Sequence, residues 1–259
     1  MNYGLYLSAS GVLTNTYRQD VFANNLANVE TPGYKPDIPS IRQRDPEAIE
    51  DQLGFEGSNA LLDRLGGGVL AGQQRINFTQ GTLRPSSNPL DVALEGEDKF
   101  FAIEAIDPET GNTKVRLTRD GRFTLNSAKE LIMQSGHRVL DDSDQPIVLS
   151  GTGVAKIDLK GQVFQGNEVV AQLQVTRIND LDQLTKRGQG LFSFEGKDPR
   201  QAIVNPSVKP GFVEASGVDP IMTMMQVVAA TKAASGNANM IKYHDQILDR
   251  AVNTLGRVG

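Results

Sequence analysis

Ala23-Asn24-Asn25-Leu26-Ala27-Asn28-Val29-Glu30-Thr31-Pro32-Gly33-Tyr34-Lys35 closes one kind of chain and opens another. Thr31 precedes a proline and is pushed out of the helical region, while Gly33 tolerates turn dihedrals that other residues resist. A helix arriving from the N-terminus is therefore expected to stop near Asn28. Three asparagines, Asn24, Asn25 and Asn28, are unusual at a helix end, because their amides compete with the backbone and can cap, bridge to a neighbouring chain or fray.

Upstream, from Tyr3 to Ala27, the apolar residues Leu5, Ala9, Val12, Ala23 and Leu26 fall on three-and-four spacing, with Thr16 and Gln19 on the same line. Gly4 and Gly11 each weaken such a helix by about 1 kcal/mol relative to alanine, so the segment needs a partner. Downstream, residues 36–84 carry Pro36, Pro39, Pro46, the acidic run Glu47-Ala48-Ile49-Glu50-Asp51 and Gly66-Gly67-Gly68, with no sustained period. They read as an extended, irregular connector. The glycine triplet is no phosphate loop, since no Gly-Lys-Ser/Thr follows it and no strand precedes it.

From Leu90 the texture becomes short apolar or alternating runs at 91–95, 100–105, 114–118, 122–125, 131–134, 147–149, 155–159, 169–177 and 191–194. Turn signals separate them at Asp107-Pro108, Asp120-Gly121, Asp141-Asp142-Ser143-Asp144 and Gly151-Thr152-Gly153. That pattern predicts an antiparallel β domain over 85–214, a barrel or sandwich. After Asn205-Pro206 and Lys209-Pro210-Gly211 it reverses. Asp219-Pro220 is an N-cap followed by proline at the first helical position. Met224, Val227, Thr231, Ala234, Ala238, Ile241, Asp245, Leu248, Val252 and Leu255 then follow on a heptad line.

The expected fold class is thus α+β: a helix and turn over 1–35, the connector over 36–84, the β domain over 85–214 and a terminal helix over 215–259. Pattern alone leaves two arrangements open. Both helices could pack on the β domain, or they could pair with each other and with other subunits as a coiled coil.

Composition narrows the function classes. The 259 residues carry a net charge of −5, which disfavours a general nucleic-acid binder, and contain no cysteine, which removes disulfides, thiolate chemistry and zinc–cysteine sites. No apolar run approaches the length that spans a bilayer. The first basic residue is Arg18 and polar residues interrupt Leu5 to Leu13, unlike a cleaved secretory signal. Any export is expected to leave the N-terminus intact. The two histidines, His137 and His244, lie far apart without ligand spacing, and the acidic stretch 141–144 lacks the glycine and distal glutamate of a calcium loop. With no nucleophile elbow either, the expectation is a non-enzyme without metal or cofactor.

The opening stretch closely resembles the signature of bacterial flagellar rod and hook proteins. Further blocks in the right order support the resemblance. Leu90-Asp91-Val92-Ala93-Leu94-Glu95-Gly96 with Phe100-Phe101 is followed by Leu117-Thr118-Arg119-Asp120-Gly121-Arg122-Phe123-Thr124-Leu125 and Ser135-Gly136-His137-Arg138-Val139-Leu140. Near the end come Pro210-Gly211-Phe212-Val213-Glu214-Ala215-Ser216-Gly217-Val218-Asp219-Pro220 and Asn253-Thr254-Leu255-Gly256-Arg257-Val258. Length and block spacing are most similar to the proximal and distal rod proteins. Two departures stand out: Glu97-Asp98-Lys99 replaces a second glycine before the paired phenylalanines, and Lys232, Ala234 and Ser235 stand where an arginine, a tyrosine and a glutamate are common.

The resemblance implies a structural subunit of the basal-body rod, with both terminal helices in an inner layer lining a hollow tube that transmits torque. It implies export through the flagellum's own type III apparatus, contacts with copies of itself and with other rod and hook proteins, and a periplasmic location in the basal body. Subunit contacts are expected at Leu5, Val12 and Leu26 on the first helix and at Met224, Val227, Ala234, Ala238, Ile241, Leu248, Val252 and Leu255 on the last. Asn24, Asn25 and Asn28 would bridge subunits, and Pro32, Gly33 and Tyr34 would set the chain's exit from the helix. The rival reading is a secreted, adhesin-like β module with helical ends, monomeric and binding an external ligand.

Overall fold

The computed structural model describes residues 3–45, 68–106, 111–151, 153–194, 200–204 and 206–255. The acidic run Glu47–Asp51, Gly66-Gly67, Asp107-Pro108, Thr152, Asn205, Gly256 to Val258 and the side chain of Leu255 lie outside the described residues. The fold is α+β, with a helix near each end of the chain and strands between. It forms two compact units: residues 1–27, 37–75 and 219–259 in one, and 28–36 with 76–218 in the other.

The helical unit contains α1 (Tyr3–Ala27) and α2 (Pro220–Leu255). Asp219 starts α2 as expected: its Oδ1 accepts from the amides of Ile221 (2.9 Å) and Met222 (3.0 Å), and Pro220 needs no donor partner at the first position. At 36 residues α2 is about 54 Å long. The helices pack against each other in opposite directions, with Gly4 beside His244 and Gly11 beside Asn237. A Cβ on Gly11 would stand 2.5 Å from the Asn237 amide, so the two glycines that weaken α1 locally are what allow α2 to come close.

The connector is more regular than its sequence indicates. Ile41–Gln43 and Val69–Ala71 pair antiparallel and lie along α1, where Thr14 donates to the Val69 carbonyl at 3.3 Å and Tyr17 to that of Gly72 at 3.3 Å. A strand as short as three residues leaves no period for a sequence to display. No described helix is long and apolar enough to cross a membrane.

The β unit is antiparallel throughout its described strand pairs. Its principal sheet is built on Lys99–Ile106, which pairs along one edge with Thr113–Thr118. Along the other edge it pairs in turn with Arg138–Val139 and Val175–Arg177. Phe100 and Phe101 point to opposite faces because side chains alternate along a strand. Phe100 packs with Phe78 (5.8 Å between ring centroids), Phe192 (5.7 Å), Leu117 and Ile178. Phe101 packs with Phe123 (5.2 Å), Ile103, Leu94 and Val139 on the other face. The sheet is therefore covered on both sides. A separate three-stranded sheet runs Ala155–Ile157, Gln162–Gln165 and Glu168–Gln172.

Two sequence readings change here. The apolar run 169–177 is not one strand: it breaks after Gln172 and contributes to two sheets, because Leu173 bridges Asp141 and the Gln174 carbonyl accepts from Ala102. The run 147–149 makes only an isolated bridge, from Val148 to Glu130, between two buried side chains, Ile147 and Leu149.

Candidate functional site

The signature ends α1 at Ala27 and turns at once, with the Thr31 amide donating to the Asn28 carbonyl at 3.2 Å. Asn25 is 4% exposed and reads the backbone of Asp37 in both directions: its Nδ2 donates to the carbonyl at 2.7 Å and its Oδ1 accepts from the amide at 2.9 Å. Within the chain, the Asn25 amide thus fixes the return of the backbone at Asp37. Asn24 is exposed and Asn28 half-buried.

Residues 28–36 are part of the β unit. Gly33 has φ +67, and a Cβ there would stand 2.6 Å from the Arg119 carbonyl carbon, so both conformation and space demand glycine. Its amide donates to the Glu214 carbonyl at 2.9 Å. Tyr34 is buried, with the Lys186 ammonium 4.2 Å from its ring centroid.

Lys35 ends the signature in a buried charge cluster. Its Nζ donates to Glu214 Oε1 at 2.7 Å and to the Thr79 carbonyl at 2.9 Å. Glu214 Oε1 also accepts from the Gly81 amide at 2.9 Å, while Oε2 takes Arg119 Nε at 2.8 Å. Arg119 donates further to the Lys99 carbonyl and stacks its guanidinium 5.8 Å from the Phe100 ring centroid. All three ionic side chains are at most 1% exposed. Two cations share one carboxylate, so burial is only partly compensated, and it holds the Lys35 ammonium below its ordinary pKa of 10.5 despite the Glu214 charge. Between the folded-state value and 10.5 the unfolded chain binds more protons than the folded chain, so this group adds stability as pH rises through that window. In Lys35→Met the contribution disappears. Urea midpoints of the two proteins, taken from neutral pH towards 10, are expected to move so that wild type gains relative to the variant.

The cluster ties together three of the blocks quoted above: Lys35 from the signature, Arg119 from the stretch Leu117–Leu125 and Glu214 from the segment before α2. Sequence reasoning missed it. Nothing in the pattern set Lys35, Arg119 and Glu214 apart from the other charged residues of their blocks, Glu30, Asp120, Arg122 and Asp219.

Beside it opens a cleft of about 520 Å3 lined by residues including Glu30, Pro32, Arg84, Ser86, Arg122 and Ser216. Its ionic groups hold the local turns: Asp91 accepts from Ser86 Oγ at 2.5 Å and Asn88 Nδ2 at 2.7 Å, and Asp120 accepts from Arg122 at 3.0 and 2.8 Å. Among the described residues no three His, Asp or Glu side chains gather as a metal site. His137 contacts Gln189 at the surface, and His244 lies against Gly4 between the helices.

On α2 the less exposed residues are Thr223, Val227, Ala230, Ala234, Asn237, Ile241, His244 and Ala251, a 4-3 repeat with Ala238 beside it and Leu248 at 41% exposure. Half of the expected heptad line holds: Val227, Ala234, Ile241 and Leu248 lie on the repeat. The other half is displaced by one residue. Met224 is 57% and Val252 71% exposed, whereas Thr223 is buried and Ala251 half-buried. Asn237 and His244 hold their positions on the repeat where Gly11 and Gly4 of α1 leave them room, a signal present in the glycines' seven-residue spacing. On α1, Leu5, Val12 and Leu26 are half-buried, as is Pro32 in the turn. Opposite the packed face, Ile221 (73%), Met225 (62%), Val228 (48%), Tyr243 (58%) and Ile247 (63%) leave α2 a second apolar face.

Residues 5–35 match the family described as flagella basal body rod protein, and residues 209–254 match the flagellar basal body rod FlgEFG protein C-terminal family. The chain is 29% identical over 259 residues to the flagellar basal-body rod protein FlgF of Caulobacter vibrioides, covering 100% of both chains. It is 27% identical to the flagellar hook-basal body complex protein FlhO of Bacillus subtilis, covering 98% of this chain and 99% of that one. Against the flagellar basal-body rod protein FlgG of Borreliella burgdorferi the identity is 28%, covering 98% of each.

Proposed function

The chain belongs to the flagellar basal-body rod protein family, and on that premise we propose that it is a structural subunit of the rod that works by assembly with its own copies rather than by turnover. The observation that carries the reading is the second apolar face of α2. A helix with one apolar stripe completes a core, whereas one with apolar residues on opposite sides must meet a further partner. In this reading α1 and α2 pair as an antiparallel coiled coil through the 4-3 repeat, and the outward face of α2 receives a helix of another copy. Contacts repeated by a rotation that does not close make a helical tube, which would pass exported subunits and transmit torque. Leu5, Val12, Leu26, Met224 and Val252 are assigned to contacts between subunits or at their margins. The subunit would reach the basal body through the flagellar export apparatus and would meet other rod and hook proteins there.

Val228→Glu tests this. Val228 is 48% exposed on the outward face, so the isolated subunit is expected to keep its helicity and its β unit. Self-association measured by sedimentation should fall at least tenfold, and labelled protein should no longer co-purify with basal bodies. Wild-type assembly by this variant would overturn the reading.

A further inference from the structure

The described methionines divide sharply. Met133 is 2% exposed in the β core, whereas Met222 (53%), Met224 (57%), Met225 (62%) and Met240 (49%) are open along α2. Three of them fall within four residues of the first turns, beside Ile221 and Val228. The chain contains no cysteine, so thioethers are its only side chains that undergo reversible two-electron oxidation.

We infer that Met222, Met224 and Met225 form an oxidation site through which peroxide switches off self-association. The inference rests on the assembly reading above and names the chemistry that would regulate it. In the step, a thioether lone pair attacks one oxygen of hydrogen peroxide. The O–O bond breaks, an S–O bond forms, and sulfur is oxidised by two electrons while peroxide is reduced. The departing hydroxide takes the remaining proton and leaves as water, and the product is methionine sulfoxide. A flexible apolar side chain thereby becomes a polar hydrogen-bond acceptor. On an exposed helix turn this leaves the subunit folded, since water already surrounds the group. In a helix–helix contact it puts an unsatisfied acceptor at Met225 on the outward face, with Met222 and Met224 adding polar groups at its margins, where apolar surface is needed. Methionine sulfoxide reductases reverse the change.

The test treats full-length monomer with limiting hydrogen peroxide and maps sulfoxides by peptide mass spectrometry. Met222, Met224 and Met225 are expected to oxidise well before Met133, with the circular dichroism unchanged. Sedimentation should then show self-association weakened at least tenfold and restored by the reductase. A Met222→Leu, Met224→Leu, Met225→Leu triple variant should show the same self-association before and after peroxide, whatever its own starting strength. If oxidised and untreated wild type associate equally, or if the triple variant remains sensitive, the inference is overturned while the assembly reading stands. If untreated protein does not associate at all, the assembly reading falls and takes the inference with it.

Discussion

Glu214→Ala is expected to cost the β unit about 3–5 kcal/mol, enough to unfold most domains of marginal stability. The reason is arithmetic of charge. Glu214 is the anion with which both Lys35 and Arg119 form ion pairs, at 2.7 and 2.8 Å. Its removal leaves two cations out of water at once, together with the Gly81 amide that donates to the same carboxylate. Lys35→Met is the informative contrast, because it leaves a neutral Arg119–Glu214 pair and removes one charge whose burial was already unfavourable. That variant should lose only about 1–3 kcal/mol, the range for charged hydrogen bonds. Amide exchange of the strand Lys99–Ile106, followed in increasing urea, reads both variants. If Glu214→Ala proves milder than Lys35→Met, the cluster does not hold the signature in place as its geometry indicates.

The same cluster marks where sequence reading reached its limit. Strands at 92–94, 99–106, 113–118, 123–125, 131–133 and 191–194 emerge close to where alternation and turn residues place them, because each presents at least one face to a core. The start of α2 was legible in Asp219-Pro220 and the end of α1 in Thr31-Pro32. What pattern could not reveal was pairing between residues far apart in sequence, since Lys35 and Glu214 are 179 positions apart. Nor could it reveal a seam that admits polar side chains. A hydrophobicity template has no reason to choose Asn237 and His244, which pack where Gly11 and Gly4 of α1 leave room. The signature changes meaning accordingly. Up to Ala27 it is helix, and from Asn28 to Pro36 it is an integral piece of the β unit.

Ile241→Asp is expected to dismantle the helical unit while sparing the β unit. Ile241 is half-buried on the 4-3 repeat of α2, within the stretch between Asn237 and His244 that meets Gly11 and Gly4 of α1. Aspartate there forfeits the burial of the isoleucine and brings a carboxylate to a contact that offers it no designed partner, a cost of about 2–4 kcal/mol. A lone α1 with two glycines is marginal in water, so α1 and α2 should both lose amide protection together. The strand Lys99–Ile106 should keep its own, because its cores are made by residues of the β unit alone. Comparison with Val228→Glu separates two roles of one helix. The outward substitution should abolish assembly with helix protection intact, whereas the seam substitution should abolish both. Loss of strand protection in Ile241→Asp would instead mean that the helices are part of the β unit's folding, which would favour ordinary α+β packing over pairing of the two helices with each other.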